Sequence, residues 1–285
     1  MKTTFYFYAN PFQSKSTDAA RALAESIQKH GGRVLTEDWL SAQGVGEACS
    51  LPDAPGDTKA IVAFGGDGTL LKAAPEAVRK QIPIVGVHTG TVGFLMQGDA
   101  GRPEELADAL LSPTYEQTAY PLLNVRYDGS DYLAVNDLAL TRGEHPGVIE
   151  VTALVDREEA FCAHGDGVIV STPLGATAYG LSAGGPIVRH DAPCLLLTPL
   201  CARELLLRPV ILPLSAKITL LAHGRDRRRL QLAIDGQILL PVTHEAQVEI
   251  FTAQEALSMI RLRPSRFFAT LRRKQAVWND YEIQE

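Results

Sequence analysis

The chain has 285 residues, of which 46% are hydrophobic, and a formal net charge of -6. This length and composition allow a large core in one long domain or in two domains of ordinary size. The acidic balance argues against nucleic acid as a main partner. No apolar run approaches the ~20 residues that span a bilayer, and the N-terminus lacks the features of a secretory signal, so we expect a cytoplasmic protein with no membrane partner.

The cysteine pattern gives no sign of a disulfide framework. The four cysteines are scattered and have no CxxC spacing; they are Cys49, Cys162, Cys194 and Cys201. We interpret them as reduced thiols in a cytosolic protein rather than as ligands of a structural zinc ion.

The first ~110 residues alternate between strand-like and helix-like patterns. Thr3–Tyr8 is aromatic and predicts a first strand, and a helix follows, with Ser16–Asp18 as its expected cap. The apolar positions of that helix recur at helical spacing, at Ala20, Leu23, Ala24 and Ile27. Two later apolar runs, 61–64 and 82–87, predict buried strands. This alternation is typical of a doubly wound, mostly parallel sheet.

A glycine-rich turn joins the strand at 61–64 to the next helix. Its sequence is Gly65, Gly66, Asp67, Gly68 and Thr69. Glycines let a phosphate approach the backbone, and the amides at the start of a helix then face that phosphate. Asp67 would repel a phosphate unless it binds a metal ion or takes a proton from a hydroxyl. The alternative is a tight turn in which Asp67 only caps the helix.

From Tyr120 onward, short strand-like runs replace the helical pattern. They lie at 122–127, 132–135, 148–155, 168–170, 210–214, 218–221, 230–234 and 248–251. Asp-Gly pairs at 128–129 and 235–236 are typical of hairpin turns. We therefore expect a β-rich second domain.

Polar segments interrupt this β-rich part and are candidate ligand contacts. Asn136 and Asp137 suit a ribose diol, which offers two donors to an amide oxygen and a carboxylate. The segment 171–186 is small, polar and glycine-rich around Tyr179, which suits a flat heterocycle. The alternatives are an ordinary turn and an ordinary loop. Phe94, in the first part, could pack in the core or flank a flat ring.

The C-terminal segment 267–278 is amphipathic and carries Arg272, Arg273 and Lys274. We interpret this basic cluster as a solvated helix face. The alternative is a position near phosphate or at a subunit contact.

Taken together, the motifs resemble those of the NAD kinase family. They are GGDGT at 65–69, GVHTGTVGFL at 86–95, AVNDLALTR at 134–142, GDGVIVSTPLGATAYGLSAGGPIV at 165–188, RPVIL at 208–212 and DGQ at 235–237. The first motif also occurs in lipid kinases. The long motif around Tyr179 is far more specific.

The resemblance implies transfer of the γ-phosphoryl group of ATP to the 2′-hydroxyl of the adenosine ribose of NAD, giving NADP. It implies Mg²⁺ or another divalent cation with ATP, and a homodimer or homotetramer. It also implies an α/β domain at 1–119 plus about 262–285, and a β-rich NAD-binding domain at 120–261. The final segment would pack back on the α/β domain.

The resemblance also implies roles for individual residues. Asp67 matches the catalytic aspartate, and Gly65, Gly66, Gly68 and Thr69 would cradle phosphate. The residues matching NAD contacts are Gly68, Phe94, Asn136, Asp137, His164, Asp166, Thr177, Ala178, Tyr179, Ser182, Cys201 and Gln237. No metal ligand is assigned.

The chain departs from the family pattern at two places. Leu174 and Ala176 replace hydroxyl residues, so one or two hydrogen bonds are expected to be absent. The segment 200–205 replaces a Pro-His-Ser-Leu-like stretch near the nicotinamide pocket. Rival interpretations are a lipid kinase of the diacylglycerol type and a non-catalytic nucleotide sensor.

Overall fold

The computed structural model describes residues 2–90, 93–144, 147–223, 230–243, 245–264 and 266–280. The chain divides into two compact units, an α/β unit and a β unit. The α/β unit consists of Met1–Ala119 with Leu257–Glu285, and the β unit of Tyr120–Ala256. No helix among these described residues has the length and apolar character needed to cross a membrane.

The α/β unit begins with alternating strands and helices. In chain order these are β1 (Thr4–Ala9), α1 (Ser14–Lys29), β2 (Arg33–Thr36), α2 (Asp38–Ser41), β3 (Glu47–Ala48), β4 (Ala60–Gly65), α3 (Asp67–Lys80), β5 (Ile84–His88), β6 (Met96–Asp99) and α4 (Pro103–Leu111). The strands run parallel in the order β3-β2-β1-β4-β5, and β6 pairs with β5. The predicted mostly parallel sheet is therefore confirmed.

The central strands are buried along most of their length, which explains their largely apolar sequence. Every residue of β4 is buried. The rings of Phe7 and Phe64 pack against each other at a tilt of 59°, with centroids 4.9 Å apart. They belong to the same core cluster as Leu23 and Ile27 of α1, so the helical spacing predicted for that helix is confirmed.

The predicted cap of α1 is wrong. The helix begins at Ser14 with Gln13 as its N-cap, so Ser16 and Thr17 lie inside the first turns and are buried. The Ser16 hydroxyl lies 3.0 Å from the Thr89 hydroxyl. A tertiary partner therefore engages this hydroxyl, which the sequence pattern had assigned to the helix end.

The β unit is made almost entirely of strands. They are β7 (Glu116–Tyr127), which begins in the α/β unit, β8 (Ser130–Ala134), β9 (Asp137–Thr141), β10 (Ile149–Val155), β11 (Glu158–Gly165), β12 (Gly167–Ser171), β13 (Cys194–Leu200), β14 (Val210–Pro213), β15 (Ile218–His223), β16 (Leu230–Ile234), β17 (Ile238–Val242) and β18 (Gln247–Arg261). One short helix, α5 (Tyr179–Ser182), interrupts them.

Two antiparallel layers share the core of the β unit. One has the order β14-β13-β12-β9-β16-β17, and the other contains β11-β10-β15-β18. Leu138 and Leu195 from the first layer belong to the same buried cluster as Val151 and Leu220 from the second. The expected β-rich second domain is confirmed.

Both predicted hairpin turns are present. Asp128 and Gly129 have φ of 49° and 74°, and Asp235 and Gly236 have φ of 50° and 64°. Positive φ at two consecutive residues suits the right-handed twist of a hairpin, and Asp-Gly accepts it at low cost.

Sequence patterns missed β9, β11, β13 and β17 in the β unit and β3 and β6 in the α/β unit. The strand β11 reads EEAFCAHG; its first three residues are exposed, and its apolar part is confined to 160–163. In contrast, β13 reads CLLLTPL and is buried throughout. Its Pro199 argues against a strand when only the sequence is considered.

The last segment of the chain returns to the α/β unit. Met259 of β18 pairs in parallel with Ile84 of β5. The final helix, α6 (Phe267–Asp280), places Leu271 in a buried position. The expectation that the final segment packs on the α/β domain is confirmed.

Candidate active site and nucleotide pocket

The Asp67 carboxylate is held by the backbone of a distant segment. Asp67 is the first residue of α3, and Gly66 is the N-cap, so the interpretation of Asp67 as the helix cap is wrong. The Phe94 amide donates to Oδ2 at 3.0 Å, and the Leu95 amide donates to Oδ1 at 3.1 Å. Hydrogen bonds from amides to a carboxylate are charge-assisted and fix its orientation.

Glycine is required at two positions around this carboxylate. A Cβ atom on Gly93 would overlap Oδ1 of Asp67 and lie 2.5 Å from its Cγ. A Cβ on Gly65 would overlap the Thr69 hydroxyl. By contrast, a Cβ on Gly66 or Gly68 would meet no atom within 4 Å. The backbone of the turn is therefore open to a ligand beside Gly66 and Gly68.

A lysine from α6 completes this cluster. Lys274 Nζ lies 3.4 Å from Asp67 Oδ2, and both side chains are 23% exposed. The same ammonium lies 5.1 Å from the centroid of the Phe94 ring, and the Phe94 and Phe267 rings are 5.9 Å apart. Phe94 therefore packs between an aromatic ring and a cation.

The helical spacing of α6 explains why only one of its three basic residues reaches Asp67. Phe267, Leu271 and Lys274 are spaced by four and three residues, so they share one face of the helix. Arg272 and Arg273 are exposed. The interpretation as a solvated face holds for these two arginines and is wrong for Lys274.

The β unit contains a polar pocket of about 420 Å³. Four of the residues predicted to contact NAD line it: Asn136, Asp137, Ala178 and Tyr179. Asp235 and Gly236, from the hairpin between β16 and β17, line the same pocket. Tyr179 is 46% exposed, so its ring offers a face to a ligand.

Two carboxylates line this pocket, and Asp137 is buried whereas Asp235 is half-buried. Asp137 is 6% exposed. Burial, with a smaller effect of the nearby Asp235, raises the pKa of Asp137 to about 7, against a hydrogen bond from the Tyr179 amide. The pKa of Asp235 is also raised by burial.

Asp235 organises the loop that carries the two predicted ribose contacts. Its carboxylate accepts hydrogen bonds from the amides of Val135 at 2.8 Å, Asn136 at 2.7 Å and Asp137 at 3.1 Å. Sequence reasoning treated Asp235 only as a turn residue. The DGQ motif was the sequence signal that could have identified a further role for Asp235, because a hairpin turn needs only the Asp-Gly pair and not the whole motif.

Asn136 lines this pocket. Within the described part of the chain, its buried Oδ1 has no hydrogen-bond partner. The backbone behind it is tightly packed, because a Cβ on Gly175 would overlap the Asn136 carbonyl oxygen. The Thr172 hydroxyl also donates to the Val135 carbonyl at 2.6 Å. A rigid, unpaired acceptor beside a buried carboxylate suits a ligand with hydroxyl donors.

The remaining residues of the long motif lie behind this pocket. Thr177 is buried, and its hydroxyl donates to the Leu174 carbonyl at 3.2 Å. Leu174 and Ala176 are 2% and 1% exposed. Apolar side chains suit these buried positions, which gives a packing reason for the departure from the family pattern. Ser182 and Gln237 are not among the residues that line the pocket.

The other predicted NAD contacts of the β unit have partners of their own. His164 Nδ1 lies 2.8 Å from Glu204 Oε1, and Asp166 forms an ion pair with Arg142 at 2.9 Å. The His164 amide donates to Glu204 Oε2 and, as the main cause, lowers the pKa of Glu204 to about 2. Cys201 is exposed with φ of 46°. His164, Asp166 and Cys201 do not line the 420 Å³ pocket.

The structure also shows the state of the four cysteines and one group of possible metal ligands. All four cysteines are free thiols, as predicted. Glu150, Cys162 and His164 bring possible ligand atoms within 4.8 Å of one another in the β unit. Within this group, His164 Nε2 lies 3.5 Å from Glu150 Oε2.

Fold and site together define a class of protein. A parallel α/β unit with an anchored carboxylate on a glycine turn, joined to a β unit with a polar pocket, is the organisation of a two-domain nucleotide kinase. The family model described as the ATP-NAD kinase N-terminal domain matches residues 6–115, and the model of the ATP-NAD kinase C-terminal domain matches residues 135–262. The chain belongs to the NAD kinase family.

Individual relatives agree with this assignment. The NAD kinase of Ruminiclostridium cellulolyticum is 30% identical over 277 residues, which is 93% of this chain and 95% of that protein. The NAD kinase of Heliobacterium modesticaldum is 37% identical over 219 residues, which is 75% of this chain and 77% of that protein.

Solved structures share the fold. An NAD kinase from Archaeoglobus fulgidus in complex with ATP has a TM-score of 0.76 and 23% identity, covering 95% of this chain and 99% of that chain. Yeast NADH kinase complexed with NADH has a TM-score of 0.81 and 22% identity, covering 95% of this chain and 86% of that chain.

Proposed function

We propose that the chain transfers the γ-phosphoryl group of ATP to the 2′-hydroxyl of the adenosine ribose of NAD, giving NADP and ADP. Family membership supports the reaction. The observation that carries its chemistry is the position of the Asp67 carboxylate. Asp67 lies at the start of α3 beside an open glycine turn, and the amides of Phe94 and Leu95 hold its two oxygens.

In this proposal Asp67 accepts the proton of the 2′-hydroxyl. That hydroxyl is a poor nucleophile at neutral pH, and a positioned carboxylate can orient it and take its proton as the bond to phosphorus forms. A carboxylate oxygen has about two acceptor positions. The amides of Phe94 and Leu95 use one on each oxygen, and Lys274 donates to Oδ2, so Oδ1 keeps a position for the incoming hydroxyl.

The glycine turn would hold the phosphates of the donor. Gly65, Gly66, Gly68 and Thr69 belong to the end of β4 and the start of α3, and the first amides of a helix suit an anion. The Thr69 amide donates to the Gly66 carbonyl at 2.9 Å, so the glycine amides are the ones that would meet the phosphates. The absence of Cβ atoms at Gly66 and Gly68 leaves room for phosphate oxygens to approach the backbone.

The β-rich residues 120–261 would bind NAD. Asn136 Oδ1 and the Asp137 carboxylate would accept the two hydroxyls of the nicotinamide-side ribose, and the unpaired state of Asn136 Oδ1 supports this. Residues assigned through the family resemblance complete the set. Thr177, Ala178 and Tyr179 would lie at the adenine side, Asp166 at the nicotinamide end, and Gly68, Phe94, His164, Ser182, Cys201 and Gln237 elsewhere along the dinucleotide.

The family resemblance also implies Mg²⁺, but the residues around Asp67 do not form a metal cage. Asp67 belongs to no group of three or more close potential ligands within the described chain, and Lys274 already lies 3.4 Å from it. Magnesium commonly binds through substrate phosphates and keeps several waters. We therefore expect the ion to arrive with ATP.

Two broader expectations belong to the same proposal. A homodimer or homotetramer is expected from the family resemblance, and sedimentation of the purified chain would test it. We also keep the cytoplasm as the expected location, because ATP and NAD are both available there.

The test is an assay of NADP formation from NAD, ATP and Mg²⁺, with wild type and Asp67→Asn. Loss of a positioned base typically costs ~10²–10⁴-fold in rate. We expect that loss in the turnover of Asp67→Asn, with NAD affinity within a few-fold of wild type. Because Asn can offer only one acceptor oxygen to two amides, the urea midpoint must be measured beside the activity.

Other results would contradict the proposal. Full turnover by Asp67→Asn would refute the role of Asp67 as the base. NADP binding without turnover by the wild type would favour a nucleotide sensor. Phosphorylation of a lipid in place of NAD would favour the lipid kinase interpretation.

A further inference from the structure

Lys274 brings a cation from the last helix to the proposed base. Its Nζ lies 3.4 Å from Asp67 Oδ2, the same oxygen that accepts the Phe94 amide. The side chain reaches this point across the Phe94 ring, with Nζ 5.1 Å from the ring centroid. Abstraction of a proton by Asp67 does not by itself explain why an ammonium group lies beside this carboxylate.

Anchoring of Asp67 does not require this lysine. The two amides from Phe94 and Leu95 already fix both carboxylate oxygens at 3.0 and 3.1 Å. Lys274 and Asp67 both keep 23% of their side chains exposed, so a ligand at Asp67 can also reach the ammonium. Arg272 and Arg273, on the neighbouring positions of α6, point their charge to solvent instead.

The geometry of the transfer places the reacting phosphorus close to this ammonium. The attacking oxygen must lie about 2.6–3.2 Å from an Asp67 oxygen for proton transfer. The γ-phosphorus must lie about 3–3.5 Å from that attacking oxygen. The phosphorus is then within about 7 Å of the carboxylate. The flexible stem of a lysine can move its charge over such a distance.

The electrostatic requirement points the same way. A carboxylate and a triphosphate are both negative, so their approach is opposed unless a cation lies between them. During transfer, negative charge spreads over the three equatorial oxygens of the phosphoryl group, and cations at those oxygens stabilise it.

We propose that Lys274 is a catalytic residue of the phosphoryl transfer: it neutralises Asp67 before ATP binds and contacts an equatorial oxygen of the γ-phosphoryl group during the reaction. The bond from the ribose oxygen to phosphorus forms, and the bond from phosphorus to the bridging oxygen of ADP breaks. ADP leaves with that electron pair, and the hydroxyl proton goes to Asp67. Lys274 keeps its protons throughout. This inference rests on the proposed function.

The experiment compares Lys274→Met with Arg273→Met in the full chain. Each variant removes one cation from adjacent positions of α6, and Arg273 is exposed. With NAD saturating, we expect Lys274→Met to lower kcat about 10²-fold, as loss of one preorganised electrostatic contact does. Arg273→Met should stay within about 2-fold, as expected for an exposed charge. Lys274→Arg should recover most of the lost rate, because it restores the charge.

A binding measurement separates contact with substrate from a merely structural role. We expect Lys274→Met to weaken ATP binding about tenfold and to leave ADP binding unchanged, because a charged hydrogen bond is lost only at the γ-phosphate. A structural role would change both nucleotides equally or neither. Lys274→Gln, which keeps length and polarity, repeats the comparison if Lys274→Met lowers the urea midpoint.

The outcomes distinguish this inference from the function on which it rests. If wild type forms NADP and the kcat of the folded Lys274 variants equals that of Arg273→Met, the inference is wrong and the proposed function stands. Equal weakening of ATP and ADP also overturns it. If wild type forms no NADP, the proposed function fails and this inference fails with it.

Discussion

Gly93→Ala displaces the proposed base without removing any catalytic group. The added Cβ would overlap Asp67 Oδ1 and lie 2.5 Å from Cγ and 2.7 Å from Oδ2. Ordinary contacts of a Cβ begin at 3.4 Å, so the carboxylate must retreat by about 1 Å, the scale of misplacement that can cost ~10²-fold in rate. The amide hydrogen bonds at 3.0 and 3.1 Å cannot survive such a shift intact.

Both activity and stability should therefore fall. We expect kcat for NADP formation to decrease about 10²-fold. Each weakened hydrogen bond to the carboxylate is worth about 1.5–3 kcal/mol, so the free energy of unfolding should decrease measurably. A coupled assay of NADP formation measures the first effect, and urea denaturation measures the second.

The matched control is Gly56→Ala, which makes the same chemical change in the same unit. Gly56 is exposed, and a Cβ there would meet no atom within 4 Å. Its activity and urea midpoint should equal those of wild type. If Gly93→Ala kept at least half of the wild-type rate, the placement of the Asp67 carboxylate against the backbone would be refuted.

The two carboxylates that line the pocket of the β unit, Asp137 and Asp235, give the remaining predictions. Folding raises the pKa of Asp137 from 3.8 to about 7, so between these pH values the folded state binds a proton at Asp137 that the unfolded state does not. Binding of this proton stabilises the folded state fully below pH ~4, and the stabilisation is lost as the pH rises through ~7. In urea titrations, Asp137→Asn should remove this dependence of stability on pH. It should also raise the KM for NAD more than it lowers kcat. An unchanged slope of stability against pH, or a defect in kcat alone, would contradict the assignment. Asp235→Ala should lower the free energy of unfolding by about 3 kcal/mol or more, since three amides lose their acceptor. The control Asp128→Ala carries the same backbone cost, with φ of 49° against 50°, but is exposed, so equal losses in both variants would refute the role of Asp235.

Much of the fold could be predicted because it depends on local patterns. Strands buried on both faces are uniformly apolar, as in β4, and α1 shows its apolar face at helical spacing. Asp-Gly pairs fix hairpins because few residues accept positive φ twice in succession. The strands that escaped prediction lack a clear local signal. For example, β11 pairs with the adjacent β10 but begins with three exposed residues, and β13 contains Pro199.

The candidate site was predictable only in part. Asp67, Asn136, Asp137 and Tyr179 stand in motifs whose residue types already suggest phosphate and ribose chemistry. Lys274 and Asp235 were not recognised, because a basic helix and an Asp-Gly turn have common structural explanations. Their roles depend on partners 207 and 98 residues away along the chain.

The sequence by itself determined the family, the alternation of the first unit, the β-rich second unit and the glycine turn that carries Asp67. Only the tertiary structure decided that two amides hold this carboxylate, that Lys274 rather than its arginine neighbours reaches it, and that Asp235 supports the Asn136 loop. Periodicity and composition describe how each segment meets solvent or core. Which polar groups meet one another depends on strand register and helix rotation, and those are settled when the segments pack.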